Sequence, residues 1–221
     1  EGADVLISYL DEHSDAQETV RIIEKEGRRC IPVAGDIGDE AHCQQIVERA
    51  VQEFGKIDIL VNNAAWQESI ESIQEVSEEM LLHTYRVNIF AMFFLCKAAM
   101  PHMQPGSTII NTTSIQAYQP SPNLIPYSTT KGAILTFTKA LSEEAIKHGI
   151  RVNAVAPGPI WTPLIPMSFE GEKVAKFGQD TPMERPGQPA ELAPVYVFLA
   201  SNDSSYITGE CIGVTGGKPL S

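Results

Sequence analysis

A phenol and an ammonium group lie one helical turn apart in the segment PYSTTKGAILTFTKALSEEA, residues 126–145. Tyr127 and Lys131 are four residues apart, so in a helix their side chains share one face. A surface pair on an amphipathic helix would have the same spacing, and the spacing alone favours that interpretation. A cation beside a phenol also lowers the pKa of the phenol, which is near 10 in a free tyrosine. The pair therefore predicts acid–base chemistry if further reactive residues converge on it.

The composition is that of a globular protein without a nucleic-acid or membrane partner. The chain has 221 residues, 43% of them hydrophobic, which is enough for one sizeable core and a single domain. With 16 basic and 28 acidic residues it has no general attraction for nucleic acid or anionic membranes. The longest apolar run, at 89–96, is far shorter than the roughly 20 residues that cross a bilayer.

The cysteines give no sign of a disulfide framework or a metal site. Cys30, Cys43, Cys96 and Cys211 are scattered without paired spacing, and the five histidines are equally dispersed. We therefore expect no bound metal and a reducing, cytoplasmic location.

Strand and helix patterns alternate along the chain. Strands that are apolar on both faces, separated by helices long enough to cross over, predict an α/β fold with a parallel sheet covered on both sides. The predicted strands are 3–9, 29–37, 57–65, 107–114 and 150–158, and the predicted helices are 14–27, 39–55, 77–103 and the segment from Tyr127. In such sheets ligands bind at the carboxyl ends of the strands.

Those strand ends carry polar groups or a tight turn: Asp36 with Ile37, Asn62 with Asn63, Thr113 with Ser114, and Pro157 with Gly158. The proline-rich stretch 157–189 is predicted to be a long loop with one short helix at about 171–177. Long loops in compact domains often cover a binding site, although a disordered excursion is the alternative.

Together these features resemble the classical short-chain dehydrogenase/reductase (SDR) family, over nearly the whole chain. The resemblance rests on GDI at 35–37, NNAA at 62–65, Asn88 within RVNIF, Ser114, YSTTK at 127–131, RVNAVAPGPIWTP at 151–163, and SSYITG followed by VTGG. A Tyr-x-x-x-Lys pair alone would be weak evidence. The serine 13 residues earlier, with Asn-Asn-Ala ahead and Pro-Gly after the next strand, makes chance agreement improbable.

The resemblance implies a three-layered, Rossmann-like, doubly wound domain over residues 1–221 and an oxidoreductase function. Hydride would pass between NAD(P)H and a carbonyl or alcohol, with reduction of aldehydes or ketones expected. Tyr127 would be the general acid/base, tuned by Lys131, which also binds the nicotinamide ribose. Ser114 would hold the substrate oxygen and Asn88 would anchor a proton relay. The simpler alternatives are that Ser114 caps a strand end and that Asn88 only satisfies backbone groups.

The resemblance also assigns cofactor contacts. Asp36 and Ile37 would bracket the adenine, although an aspartate after a strand is also a common turn residue. Small, neutral Ser8 with Tyr9 at the end of the first predicted strand favours NADP over NAD, since an NAD site usually has an acid there. The remaining contacts are to the adenosine ribose, from Asn63 and Ala64, and to the nicotinamide side, from Pro157, Gly158, Ile160 and Thr162.

Several features stay open at this stage. Trp66 and Trp161 either line the substrate pocket or only pack against neighbouring side chains. The sequence does not identify the substrate. The family resemblance implies a homotetramer built on the helices from Ser77 and Tyr127, with a dimer as the alternative. A third function, epimerase or dehydratase chemistry, usually needs a larger C-terminal domain.

One family element is absent from these residues: the glycine-rich loop, Thr-Gly-x-x-x-Gly-x-Gly, that binds the cofactor pyrophosphate. Either the 221 residues are part of a longer protein, which we favour, or the chain has lost cofactor affinity and is a catalytically silent binding or scaffold module. Without the strand that precedes this loop, we expect a gap in the middle of the sheet.

Overall fold

The computed structural model describes residues 1–168 and 171–221. Strands and helices alternate, as predicted. The strands are β1 (Val5–Tyr9), β2 (Cys30–Ala34), β3 (Ile59–Asn62), β4 (Thr108–Thr112), β5 (Arg151–Pro157) and β6 (Cys211–Val214). The helices are α1 (His13–Lys25), α2 (Glu40–Phe54), α3 (Glu78–Tyr85), α4 (Ala91–Ala99), α5 (Ile125–Ala145), α6 (Leu164–Ser168), α7 (Glu172–Ala175) and α8 (Pro189–Ala200).

All strand pairs are parallel, which confirms the predicted α/β class. Strands β3, β4, β5 and β6 form one four-stranded sheet in that order, and β1 pairs with β2. In the register of the larger sheet, Ile110 of β4 lies opposite Val61 of β3 and Asn153 of β5. Strands β4 and β5 are central and almost wholly buried, which explains their near-continuous apolar character.

The expected gap is present between the two groups of strands. Strands β1 and β3 are each paired on one side only, and both line the same cavity of about 790 Å³. Ile59 and Val61 of β3 are exposed there, unusual for strand residues of this type. The sheet is therefore in two parts, separated by a space bordered by the edges of β1 and β3.

Helices cover both faces of the four-stranded sheet. Ile109 packs with residues of α2, α4 and α5, whereas the next residue, Ile110, packs with Leu199 of α8. This alternation follows from the two-residue period of a strand. Local signals fix the helix ends: the carboxylate of Asp39 accepts from the Ala41 N–H, and Gly55 ends α2 with φ of 79°.

The helix predicted at 77–103 is interrupted. Residues Arg86–Phe90 form one π-helical turn between α3 and α4, and a 3₁₀ turn follows at Met100–His102. The short helix expected near 171–177 corresponds to α7. The sequence analysis did not anticipate α6, α8 or β6; the apolar side chains of α8 cover β4 and β5. Within the described ranges, no helix combines the length and apolar character needed to cross a membrane.

Candidate active site

The backbone brings Ser114 and Tyr127 together from the end of a strand and the start of a helix. Ser114 follows β4 by two residues, and its hydroxyl accepts from the Gln116 N–H at 3.2 Å at the start of a 3₁₀ turn. Helix α5 begins at Ile125, so Tyr127 lies in its first turn and Lys131 one turn later. Ser114 is buried, and its hydroxyl contacts the phenol of Tyr127.

The predicted Tyr127–Lys131 pair forms, and it is not a surface pair. Nζ of Lys131 lies 5.2 Å from the centroid of the Tyr127 ring. The lysine is only 2% exposed, and its Nζ donates to the backbone oxygen of Thr112 at 2.8 Å. In the described part of the chain no carboxylate pairs with this ammonium. A buried lysine without a carboxylate partner destabilises a fold, which makes Lys131 a candidate for a chemical role.

The expected effect of Lys131 on the pKa of Tyr127 is wrong for this structure. Burial raises the pKa of the phenol to about 12, and the contact with Ser114 only partly opposes that rise. Burial also lowers the pKa of Lys131 to about 7. Because the ammonium is itself desolvated, it is only partly protonated at neutral pH, which weakens its ability to stabilise a phenolate.

Asn88 lies in the π-helical turn, and its side chain hydrogen-bonds the backbone of the segment after β3. Its Oδ1 accepts from the Trp66 N–H at 2.7 Å, and its Nδ2 donates to the Trp66 carbonyl at 2.9 Å and to Thr130 Oγ1 at 3.1 Å. Both amide hydrogens of this buried side chain are therefore used. This geometry is the backbone-satisfying arrangement that the sequence left as an alternative.

Four of the expected cofactor residues, together with Asn88, meet at one rim. The cavity of about 790 Å³ is lined at the carboxyl ends of the strands by polar and small residues, with an apolar wall below. The expected site residues among them are Ser8, Ile37, Asn63, Ala64 and Asn88.

Two expected cofactor residues point elsewhere. Asp36 lines a separate pocket of about 400 Å³, with Arg86 on its other side. Its Oδ1 accepts from the Gly38 N–H at 2.7 Å, the turn geometry that was the simpler alternative. The Tyr9 hydroxyl lies 3.0 Å from Nδ1 of His13, at the start of α1. Asp36 and Ile37, although adjacent, therefore do not line the same cavity.

The remaining four expected cofactor residues lie at the beginning of the 157–189 segment, outside the lining of the larger cavity. Pro157 ends β5 opposite Val214, and the Gly158 N–H donates to the Val214 carbonyl at 2.9 Å. Ile160 forms an isolated parallel bridge with Gly187, and the Thr162 carbonyl accepts from the Ile165 N–H. These contacts attach the segment to β6 and to its own returning arm.

The two tryptophans make aromatic contacts. Trp66 is edge-on to His83 at 4.7 Å between ring centroids, and Trp161 lies 6.2 Å from Phe177.

Sequence reasoning missed Thr112 and Tyr196 near the catalytic candidates, and it named Thr113 only as a polar residue at a strand end. Thr113 Oγ1 donates to the backbone oxygen of Lys131 at 2.7 Å. The Thr112 hydroxyl lies 2.7 Å from the Tyr196 hydroxyl, and the nearby phenol of Tyr196 contributes to the raised pKa of Tyr127. The position of Thr112 at a strand end was a usable signal, whereas nothing in the sequence placed Tyr196 near this site.

The cavity fits a nicotinamide dinucleotide at its polar rim. The rim lies at the carboxyl ends of parallel strands, where dinucleotides bind in this class of fold. Asn62 Oδ1 is buried at this rim without a hydrogen-bond partner among the described residues, so a donor is needed there. Lys131 lies behind the rim, its Nζ bonded to the backbone oxygen of Thr112, a rim residue.

The chain is similar to several known proteins. A family model described as "Enoyl-(Acyl carrier protein) reductase" matches residues 1–218. The chain is 59% identical to the uncharacterized oxidoreductase YhdF of Bacillus subtilis, with 100% of this chain and 76% of that protein covered. It is 48% identical to the glucose and ribitol dehydrogenase of Daucus carota, with 98% of this chain and 77% of that protein covered.

Among solved structures, the chain resembles a blue fluorescent protein from a metagenomic library in complex with NADPH. The TM-score is 0.90 at 31% sequence identity, and the match covers 98% of this chain and 87% of that one. The fold, the Ser114, Tyr127 and Lys131 constellation and these matches lead to one conclusion. The chain belongs to the classical short-chain dehydrogenase/reductase family of oxidoreductases.

Proposed function

We propose that the protein reduces aldehydes or ketones with hydride from NAD(P)H, and that Tyr127 supplies the proton. The observation that carries this proposal is the buried constellation at the end of β4: an unpaired lysine 5.2 Å from the ring of Tyr127, with the Ser114 hydroxyl in contact with the phenol. A purely structural site has no need of a desolvated ammonium, which is costly to bury.

The residues divide the work of carbonyl reduction. Negative charge develops on the carbonyl oxygen and must be met by a proton or a strong donor. Ser114 is the donor that holds this oxygen. Tyr127 transfers its phenolic proton to it as the C–O double bond becomes a C–OH single bond. The raised pKa of Tyr127 keeps that proton in place at neutral pH, which suits the reductive direction.

Lys131 and Asn88 support this acid. With its pKa near 7, Lys131 can take up or release a proton close to neutral pH and so help return a proton to Tyr127. The side-chain amide hydrogens of Asn88 are already used by Trp66 and Thr130. Asn88 would therefore contact a proton relay as an acceptor, through one of its oxygens.

NADPH is the proposed preferred cofactor, with NADH as the alternative. When bound, it supplies the hydride that reduces the carbonyl carbon. Ser8, exposed at the rim end of β1, offers no carboxylate that would repel a 2'-phosphate. Asn63, Ala64 and Ile37 would contact the adenosine half. Asp36 would contact the adenine amino group through Oδ2, because Oδ1 accepts from the Gly38 N–H.

The nicotinamide half would be held by the start of the 157–189 segment, with Pro157, Gly158, Ile160 and Thr162. Their backbone contacts to β6 and to Gly187 give this segment a fixed base. The same segment contacts the loop after β3, since Gln67 Nε2 donates to Ser168 Oγ of α6 at 2.9 Å.

The test is a panel of aldehydes, ketones, ribitol and glucose, followed through NAD(P)H absorbance on the full-length protein. The expected result is turnover of carbonyl substrates with NADPH, and a loss of turnover in Ser114→Ala. A catalytically silent scaffold would give no turnover with any substrate or cofactor, and that outcome would reject the proposal. Oxidation of ribitol alone would instead assign the same site to polyol dehydrogenation, the activity named for the carrot relative.

We further propose a cytoplasmic homotetramer. Leu81, Leu82 and Phe93 on α3 and α4 are exposed, as are Val197 and Phe198 on α8, so two separate apolar surfaces are available for pairing. Sedimentation velocity is expected to give a tetramer, and Phe93→Glu is expected to give dimers. A wild-type monomer would contradict the assembly.

A further inference from the structure

Thr112, the last residue of β4, joins three parts of the site. Its hydroxyl lies 3.0 Å from Oδ1 of Asn63, after β3, and 2.7 Å from the hydroxyl of Tyr196, on α8. Its backbone oxygen accepts from Nζ of Lys131 at 2.8 Å. Thr112 is buried and lines the rim of the larger cavity. One residue therefore contacts the catalytic lysine through its backbone and the cofactor rim through its side chain.

The direction of these hydrogen bonds follows from counting protons. A threonine hydroxyl has one proton to donate, and the amide oxygen of Asn63 can only accept. Thr112 therefore donates to Asn63. The Tyr196 hydroxyl must then donate to Thr112 Oγ1. Burial raises the pKa of Tyr196, so this phenol keeps its proton at neutral pH.

These hydrogen bonds determine which atom of the Asn63 side-chain amide faces the cavity rim. With Oδ1 held inward by Thr112, the Nδ2 hydrogens have no hydrogen-bond partner among the described residues. Asn63 is exposed and lies at the cavity rim. An asparagine amide at a surface can otherwise turn over and present its oxygen instead. In the other orientation Thr112 would accept from Asn63 Nδ2 and donate to Tyr196, and the Tyr196 proton would have no acceptor among the described residues. The hydroxyl chain therefore favours the orientation that leaves a hydrogen-bond donor at the rim.

We propose that Tyr196 and Thr112 are positioning residues that hold the Asn63 amide as a donor to an oxygen of the bound dinucleotide. This inference rests on the proposed function. An anionic, hydroxyl-rich ligand has acceptor oxygens throughout, so a fixed donor binds it better than an amide that alternates between two orientations. Tyr196 therefore acts on cofactor affinity through two intervening side chains, without touching the reacting atoms.

The proposal separates cofactor binding from chemistry. Lys131 bonds the backbone oxygen of Thr112, and that bond survives any change of the Thr112 side chain. Removing the hydroxyl chain should therefore weaken cofactor binding by a larger factor than it changes the turnover number at saturating cofactor. Loss of one such hydrogen bond corresponds to about a threefold to tenfold weaker dissociation constant.

The experiment measures the dissociation constant of NADPH by fluorescence titration without substrate, alongside turnover. Tyr196→Phe and Thr112→Val remove one hydroxyl each, and Thr112→Ser is the matched control that keeps it. We expect about threefold to tenfold weaker binding in the first two and near wild-type binding in the control. In an Asn63→Ala background, Tyr196→Phe should have no further effect, since the two residues act through one chain.

Wild-type NADPH affinity in both Thr112→Val and Tyr196→Phe would overturn the inference. So would an undiminished effect of Tyr196→Phe in the Asn63→Ala background, which would indicate a general structural role. Thermal denaturation of each variant identifies any loss of folding. If Thr112→Val does not fold, the NADPH affinity of Tyr196→Phe alone decides whether the inference holds. The proposed function fails separately if Tyr127→Phe keeps wild-type turnover, and a wild-type protein that binds neither NADPH nor NADH would overturn both.

Discussion

Replacing Lys131 by methionine should stabilise the protein while abolishing its activity. Met has a similar length and no charge to desolvate. The pKa of Lys131 is lowered from 10.5 to about 7 by burial. At about 1.4 kcal/mol per pKa unit, keeping this group buried costs the folded state about 4 kcal/mol at pH 7 and about 2 kcal/mol at pH 9.

The sign follows from where the proton is held. Between pH 7 and 10.5 the unfolded chain keeps the proton of Lys131 and the folded chain releases it. The cost of burial therefore grows as the pH falls through this window, and becomes constant below about pH 7. Met has no such dependence. It does lose the bond to the Thr112 carbonyl, which costs about 1–3 kcal/mol for the acceptor left unpaired.

Urea denaturation at pH 7, 8 and 9, at one protein concentration, measures the outcome. We expect Lys131→Met to raise the free energy of unfolding by about 1–3 kcal/mol at pH 7, and this gain to shrink by about 2 kcal/mol by pH 9. Lys139→Met, an exposed lysine on the same helix, is the matched control and should change stability by less than about 0.5 kcal/mol. A Lys131→Met variant that is less stable at every pH, or stabilised equally at pH 7 and 9, would refute the reasoning.

Three further predictions test other contacts, two of them with a matched comparison variant. Arg151→Met should lower the free energy of unfolding by about 2–4 kcal/mol in urea titrations, because the buried guanidinium donates to the Leu199 and Ser201 carbonyls at the end of α8. As the comparison, Arg49 lies in a surface ion pair with Glu53, and Arg49→Met should lower the free energy of unfolding by less than about 1 kcal/mol. Gly158→Ala should destabilise by about 1–3 kcal/mol, because its Cβ would lie 2.7 Å from Thr215 Cα. Gly132 faces open space on α5, so Gly132→Ala should stabilise the protein by about 0.5–1 kcal/mol. Melting temperatures that shift in the same direction in both glycine variants would contradict this pair of predictions. Asn88→Ala should lower the free energy of unfolding by about 1–3 kcal/mol and also lower kcat/KM, because it leaves both backbone groups of Trp66 without their partner. An unchanged kcat/KM would limit Asn88 to a structural role.

Much of the fold could be predicted from the sequence, because short segments of sequence determine its helix ends and strands. The acidic cap at Asp39 and the glycine at 55 marked the ends of α2, and apolar runs marked β4 and β5. The spacing of Tyr127 and Lys131 was enough to predict that they share a face, because it depends only on helix geometry.

The features that were missed depend on tertiary packing. Burial reversed the expected pKa change of Tyr127, and burial of a group follows from every element packed around it rather than from its neighbours in sequence. Tyr196 reaches Thr112 only because α8 packs over β4. The π-helical turn at Asn88 has no composition that distinguishes it from an ordinary helix.

The central claim is that the phenol of Tyr127 donates the proton that completes carbonyl reduction. The most direct test compares Tyr127→Phe with the wild type in one reaction, with NADPH affinity measured in the same preparations. The account predicts an unchanged dissociation constant and turnover lower by about 10²–10⁴-fold. Turnover by the variant equal to that of the wild type would contradict it.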